Sequence, residues 1–457
     1  MASPKEERPI AALLVPDILA LLDESPGDVA AETEELHPAN LADVAEALPR
    51  ERLAQLLRAL PAARAADVLE YLDEELRSEL LEELSARQAA ELVSQMTPDD
   101  RADALEDLED ERADEILSEI RGDARGETER LLAYEPDSAG GLMTTEIVAV
   151  PDASSVDAAL ESVRAAARAG RREAMYAIYA LDATGVLRGV FSLRELLAAP
   201  PGSRVSDISW HDVVSVAPTA DREEVARLTS KYDLVAVPVV DTNGRLLGAV
   251  TVDDVIDAIV EEQTEDVQRL GAVEPLEAPY FQASFWSIAR KRAGWLVLLF
   301  VAELLTATAM ARYEATLAGA LALVFFVPLI ISSGGNSGSQ SATLITRALA
   351  VGDVELRDAL RVLTREGLQG LALGAFLGLF GFLRVIIGGE STSFALVVGV
   401  TLLTVVITGT LVGATLPLIF TRLGFDPAIA SSPFVASFVD VAGILIYFSV
   451  AAWLLNG

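Results

Sequence analysis

The sequence predicts a multidomain membrane protein: an all-α helical N-terminal solenoid, an α/β module of two tandem copies, a connecting helix, and a five-helix all-α transmembrane domain. Three observations predict it. All the excess negative charge lies before residue 290. A 24-residue helical repeat and a 59-residue α/β repeat follow one another in that part. Five long apolar stretches fill the rest. The expected bounds are 1–135 for the acidic helical domain, 136–260 for the tandem module (copies at 136–200 and 201–260), 261–290 for the connecting helix, and 291–457 for the membrane domain.

The formal net charge is −34, and it is unevenly spread. Residues 290–457 hold 10 basic and 9 acidic side chains, leaving 25 basic and 60 acidic for residues 1–289. So sharp a split implies separate solvents for the two halves. A polyanionic domain argues against nucleic acid and anionic lipid as its partners. There is no cysteine, and His37 and His211 show no ligand spacing, so disulfides, thiolate chemistry and zinc sites are not expected. Lysine is confined to Lys5, Lys231 and Lys291. An acidic, lysine-poor surface also suits a salt-rich cytoplasm, so total charge alone does not argue for cation sensing.

Between residues 40 and 120 the chain repeats every 24 residues: ADVAEAL from Ala42, ADVLEYL from Ala66, AELVSQM from Ala90 and DEILSEI from Asp114. Pro49, Pro61 and Pro98 punctuate the turns. This pattern predicts stacked helical hairpins, which usually present a protein or interdomain surface. From about residue 139, β-branched runs alternate with helices. LDATGVLRGVFSLREL from Leu181 matches VDTNGRLLGAVTVDDV from Val240. Gly185 and Gly244 fall in Asp-x-x-Gly turns, and Ser192-x-x-Glu195 and Thr251-x-x-Asp254 fit helix N-caps.

The apolar stretches cover 293–311, 315–345, 367–388, 394–420 and 428–455. Each is near the roughly 20 residues that span a bilayer as helix. Eight basic residues flank one side: Arg290, Lys291, Arg292, Arg347, Arg357, Arg361, Arg365 and Arg422. Only Arg312 and Arg384 flank the other. That bias, and the absence of a signal-peptide core in MASPKEERPI, predict a multi-pass protein of the cell membrane, N-terminus cytoplasmic and C-terminus outside.

Ionisable groups inside spans are costly and usually functional. Pro433 suits a first helical turn, and counted from it Asp440 lies about 10 Å into the fifth helix at ~1.5 Å per residue. Glu303 lies mid-way along the first. The second carries SSGGNSGSQSATLITRALA from Ser332, a polar stripe suited to a wet conduit and costly against lipid. Small-residue helix packing explains part of it. Oxygen ligands without histidine or thiolate select a hard divalent cation, and Mg2+ in particular keeps much of its water. No nucleophile–base constellation or Walker loop is present, so an enzyme is not expected.

Two resemblances add to this reading. The α/β repeat resembles a tandem pair of CBS domains, the Bateman module. That likeness implies an ATP contact at Thr251 and Asp254, alongside their reading as a helix cap. Pro328, Gly334, Gly335, Asn336, Gly338, Gln340, Thr343 and Arg347, followed by Asp426, Pro427 and Asp440, resemble the MgtE magnesium-channel family. The resemblance covers nearly the whole chain. It implies a homodimer with a Mg2+ pore on its two-fold axis. Asp440 and the Ala436 carbonyl would be metal positions, and Gly334, Gly335, Asn336, Gly338, Gln340 and Pro433 would line the pore. It also implies that the connecting segment is a plug helix whose Glu262, Glu265 and Asp266 bind regulatory Mg2+; the bland alternative is a solvated acidic linker. Ser332, Ser339 and Ser432 depart from the family pattern beside the pore, which leaves Mn2+ and Co2+ open. Glu303 lies outside the pattern and leaves open an extra intramembrane site and a proton- or sodium-coupled exchanger. A nucleotide-sensing regulator that transports nothing is the third class.

Overall fold

The computed structural model describes residues 9–170, 176–276, 280–281, 283–313 and 322–455. It divides into two compact units, residues 1–259 and 260–457.

The first unit opens with stacked helices. Those starting at Pro38, Ala62, Ala86 and Asp110 are 24 residues apart, as are those starting at Arg50, Glu74 and Pro98. The repeat recurs inside the core, where Leu57, Leu81 and Leu105 are all buried. Burying each leucine contributes about 1.5–3 kcal/mol. Pro49 and Pro61 stand at N-caps and Pro98 at a first helical position, where a missing N–H costs nothing. Ser85 and Gln88 form a reciprocal capping box. Arg112 donates to the carbonyl of Leu81 at 2.8 Å, satisfying an orphan acceptor at the end of a helix in the preceding repeat.

Among the described residues the tandem module has five strands: β1 (Val148–Pro151), β2 (Ile178–Leu181), β3 (Leu187–Phe191), β4 (Ala236–Val240) and β5 (Leu246–Thr251). β1 runs parallel to β2, and β2–β3 and β4–β5 are antiparallel hairpins. Their turns are built alike. Asp182 accepts from the N–H groups of Thr184 (2.8 Å) and Val186 (3.1 Å), and Asp241 accepts from those of Asn243 (2.7 Å) and Arg245 (2.9 Å). Gly185 and Gly244 adopt φ of +82° and +76°, which needs glycine. The copies join through Leu187 N–H to Gly244 O (2.9 Å) and Leu246 N–H to Gly185 O (3.2 Å).

Among the described residues of the second unit five helices are long and apolar enough to cross a membrane: helix one (Phe285–Arg312), helix two (Ala322–Ala350), helix three (Ala359–Ile387), helix four (Thr392–Arg422) and helix five (Ser432–Leu455). The expected start of helix two at 315 lies outside the described residues. Helices one and three begin about two turns before their apolar stretches, because hydropathy marks the hydrocarbon layer and not the helix end. Helix five begins later than expected. Asp426 accepts from Ala428 N–H at 2.7 Å and holds Pro427–Ile429 in a 3-10 turn first.

The connecting helix also differs from the expected 261–290. It begins at Val252, directly after β5, and ends at Leu270. Gly271 follows, and Ala272 takes a φ of +56°, so the helix cannot continue.

Helices two, three and four pack through glycine. Gly370, Gly374, Gly378 and Gly381 form the buried face of helix three against helix four. Gly334 and Gly338 bring helix two onto Gly409 and Gly413 of helix four. Small residues permit the close backbone approach that drives helix association in lipid.

Candidate functional site

Asp440 sits on helix five eight residues after Ser432, one turn beyond Ala436. Both face Gly335 of helix two. A β-carbon at Gly335 would lie 3.5 Å from Ala436 Cβ and 3.6 Å from Asp440 Oδ1. The glycine leaves the carboxylate room on that side. Glu303, on helix one, is exposed in the single chain.

The expected pore-lining residues of helix two divide into two sets. Gly334 and Gly338 are buried packing positions: a β-carbon at Gly334 would meet Val439 at 2.9 Å, and one at Gly338 would meet Val435 at 2.9 Å and Gly409 O at 3.0 Å. They face helices four and five. Asn336 and Gln340 lie on another face and are exposed, with Ser332 and Thr343. Asn336 Nδ2 donates to Ser332 Oγ at 3.3 Å. Ser339 donates to the carbonyl of Ser432 at 3.1 Å, joining this stripe to the first turn of helix five beside half-buried Pro433.

One intramembrane carboxylate escaped the sequence reading. Glu366 of helix three is 6% exposed and accepts a hydrogen bond from Ser341 of helix two. Helix three was expected to start at 367, which put Glu366 outside the span.

Glu265, Asp266 and Asp426 gather around Arg269. Arg269 pairs with Asp426 at 2.5 Å and with Glu265 at 2.7 Å. Burial, then the charges of Asp426 and Glu262, push the Asp266 carboxyl up. The three acidic positions of the connecting helix therefore share one neighbourhood with the Asp that precedes helix five.

The first unit holds a denser acidic group where the helical repeats meet the tandem module. Asp99 is 5% exposed, and its Oδ1 is buried without a hydrogen-bond partner. Burial, then the charge of Asp100, push Asp99 up to about 7. Burial and the charges of Asp99 and Asp100 push Asp103 up to about 8. Glu70 is raised to about 8 by burial, then by Asp100 and Asp67. Asp100 is raised too, chiefly by burial, while Thr97 Oγ1 donates to it at 2.7 Å. Asp254 is raised well above the usual range by burial and by Asp99.

Among the described residues no three carboxylates converge as a ready-made coordination shell. The donor set is still that of a hard cation: oxygen only, in excess of local positive charge, with one orphaned oxygen. Nothing in the sequence singles out Asp99 and Asp100 from the acidic residues around them. Their proximity to Asp254 is tertiary.

Thr251 is 2% exposed, and its hydroxyl donates to Asp254 at 2.5 Å. This is the cap-like arrangement. It leaves the hydroxyl engaged within the protein.

Comparison with known proteins adds the following. The profile described as divalent cation transporter, MgtE, matches residues 327–450. That of the MgtE intracellular N domain matches 36–137, and that of the CBS domain matches 205–261. The magnesium transporter MgtE of Thermus thermophilus is 46% identical over 73% of this chain and 73% of its own length. That of Bacillus subtilis is 33% identical over 70% of each. Among solved structures, the soluble part of a magnesium transporter aligns with a TM-score of 0.52 at 30% identity, covering 55% of this chain and 99% of the other. The cytosolic domain of the Mg2+ channel MgtE in complex with ATP aligns with a TM-score of 0.49 at 41% identity, over 52% and 96%.

Proposed function

The chain belongs to the MgtE family, and on that premise we propose that it is a homodimeric Mg2+ channel of the cell membrane, with its N-terminus in the cytoplasm and its gate controlled by cytoplasmic Mg2+. The observation that carries this reading is the polar face of helix two beside Asp440. Ser332, Asn336, Gln340 and Thr343 are exposed in one chain, and the same helix meets half-buried Asp440 at Gly335. Such a face is costly against lipid and sensible against water. A two-fold axis along it brings two Asp440 carboxylates and two Asn336 amides around one aqueous path.

The chemistry is electrostatic. Mg2+ sheds its water reluctantly, so two carboxylates can attract the hydrated ion while its own water supplies most of the inner shell. Ala436, one turn from Asp440, widens the site where a bulkier side chain would narrow it. Binding through water is weak enough to allow exit, as conduction requires.

Gating follows from the acidic groups. At low cytoplasmic Mg2+, Asp99, Asp100, Asp103 and Asp254 repel one another, as do Glu262, Glu265, Asp266 and Asp426. Mg2+ offsets both repulsions and favours the compact, closed arrangement. The ion thus binds one state better than the other, the condition for a population shift. A nucleotide at Thr251 and Asp254 would have to open their hydrogen bond, which ties ATP to the same carboxylate that faces Asp99.

Mg2+ entry into proteoliposomes tests the reading. Under a potassium-valinomycin potential and with no proton or sodium gradient, a channel admits Mg2+ at a rate that follows voltage. Uptake that needs an opposing proton or sodium gradient would instead support an exchanger built on Glu303.

A further inference from the structure

We propose that the start of helix three is a binding site for an anionic phospholipid of the cytoplasmic leaflet. The site lies outside the ion path. It rests on the orientation proposed above only for the choice of leaflet.

Helix three has two unlike faces. One is the glycine ladder buried against helix four, with Val362 and Glu366 at its start. The other carries Arg361 and Arg365, one helical turn apart, and with Arg357 of the 3-10 turn just before the helix it lines an open cavity of about 1020 Å³. Asp358, Leu360, Thr364, Leu368, Gln369 and Ala372 complete the same lining. Arg361 and Arg365 are about 6 Å apart along the axis, at ~1.5 Å per residue. The cavity therefore passes from guanidinium to hydrocarbon along one face, in the order in which a phospholipid presents phosphate and acyl chain.

Asp358 is the one acidic residue of the lining, against three arginines, and its Oδ2 accepts from the N–H of Glu355 at 3.3 Å. Arg357 pairs with Glu355 at 2.9 Å, and both are exposed. Among the described residues neither Arg361 nor Arg365 has an acidic partner. Both sit where the span begins, so their forks lie at phosphate depth. Arginine offers planar, bidentate donors that match phosphate oxygens. Leu360 and Leu368 are 78% and 64% exposed in the chain and supply a wall for an acyl chain. A zwitterionic lipid satisfies the wall but adds its own cation beside the arginines. An anionic headgroup complements both parts.

The consequence is functional. Helix three reaches helix two through Glu366 and Ser341, one residue on from Arg365. A lipid held at Arg361 and Arg365 therefore bears on the turn that braces the pore helix.

The test uses the full chain, delipidated in detergent and offered phosphatidylglycerol and phosphatidylcholine in equal amounts, with bound lipid counted by native mass spectrometry. Wild type is expected to retain phosphatidylglycerol in excess. Arg361→Gln with Arg365→Gln is expected to lower that retention about thirtyfold, equivalent to roughly 1 kcal/mol for each arginine near the lipid surface. Retention of phosphatidylcholine and the gel-filtration profile of this variant should not change. Arg422→Gln, on the same side of the membrane but outside the cavity, should leave retention as in wild type. Equal retention of the two lipids by wild type overturns the proposal. So does an Arg422→Gln loss as large as that of the pair, which would mark a general interfacial charge effect. Displacement of phosphatidylglycerol by millimolar inorganic phosphate would mean a free-anion site and would overturn it too. None of these readings depends on ion flux, so they stand apart from the transport proposal.

Discussion

Gly335 gives Asp440 its open flank: a β-carbon at that position would stand 3.6 Å from Oδ1 of the aspartate. One residue earlier, Gly334 serves a different end, since its β-carbon would collide with Val405 and meet Val439 at 2.9 Å. The two neighbours should therefore respond differently to the same change. Gly335→Ala makes only ordinary contacts and should fold and dimerise as wild type, with reduced Mg2+ uptake because space for the ion's water is lost. Gly334→Ala should cost about 1–3 kcal/mol through overpacking, read as a lower melting temperature in detergent. Equal melting temperatures for the two variants would contradict this division of helix two.

Raised carboxyl groups set a pH dependence with a definite sign. Asp99, Asp103 and Glu70 lie at about 7 to 8 in the folded chain, above their ordinary values of 3.8 and 4.5. The folded state binds their protons more tightly, so stability is full below the ordinary values and falls as pH rises through the folded ones. In EDTA the full chain should become easier to proteolyse in its first unit between about pH 5 and 8.5. Millimolar Mg2+ should flatten that trend. Protection by monovalent salt at equal ionic strength would favour a merely salt-adapted surface.

Asp99 is the most exacting position of the group, because its Oδ1 is buried and unpartnered. Asp99→Asn keeps the shape and removes the charge. It should raise protease resistance in EDTA and shrink the further protection given by Mg2+ to a small fraction of the wild-type effect. Unchanged Mg2+ protection would take Asp99 out of the sensing site.

Arg269 holds Asp426 and Glu265 at 2.5 Å and 2.7 Å. Arg269→Gln removes the cation that screens this acidic group. More Mg2+ should then be needed to close the channel, with the inhibitory concentration moving up several-fold in a flux assay. A downward shift would mean that Arg269 opposes closure.

Much of this was legible because it is periodic. The 24-residue spacing recurs in helix starts at Pro38, Ala62, Ala86 and Asp110, and the 59-residue spacing in the turns at Gly185 and Gly244. Apolar runs found the spans but misjudged their ends, since arginine and glutamate continue a helix beyond the hydrocarbon. That error hid Glu366. The helix from Val252 to Leu270 was divided in two because its first half belongs to the α/β repeat and its second half to no repeat. The facing of Asp440 onto Gly335 was only partly visible. Helical spacing puts Ala436 and Asp440 on one face, but which glycine of the Gly334–Gly335 pair they meet depends on how helix two turns against helix four. The gathering of Asp99, Asp103 and Asp254 joins residues more than 150 positions apart and leaves no local signal.

The central claim is that Asp440 attracts the passing ion. The most direct measurement is voltage-driven Mg2+ uptake into proteoliposomes holding equal amounts of wild type or Asp440→Asn, with gel filtration confirming the same assembly. Uptake should fall by at least an order of magnitude, on the scale of one charge acting at a few ångströms in a partly wet site. Wild-type uptake by Asp440→Asn would contradict the account.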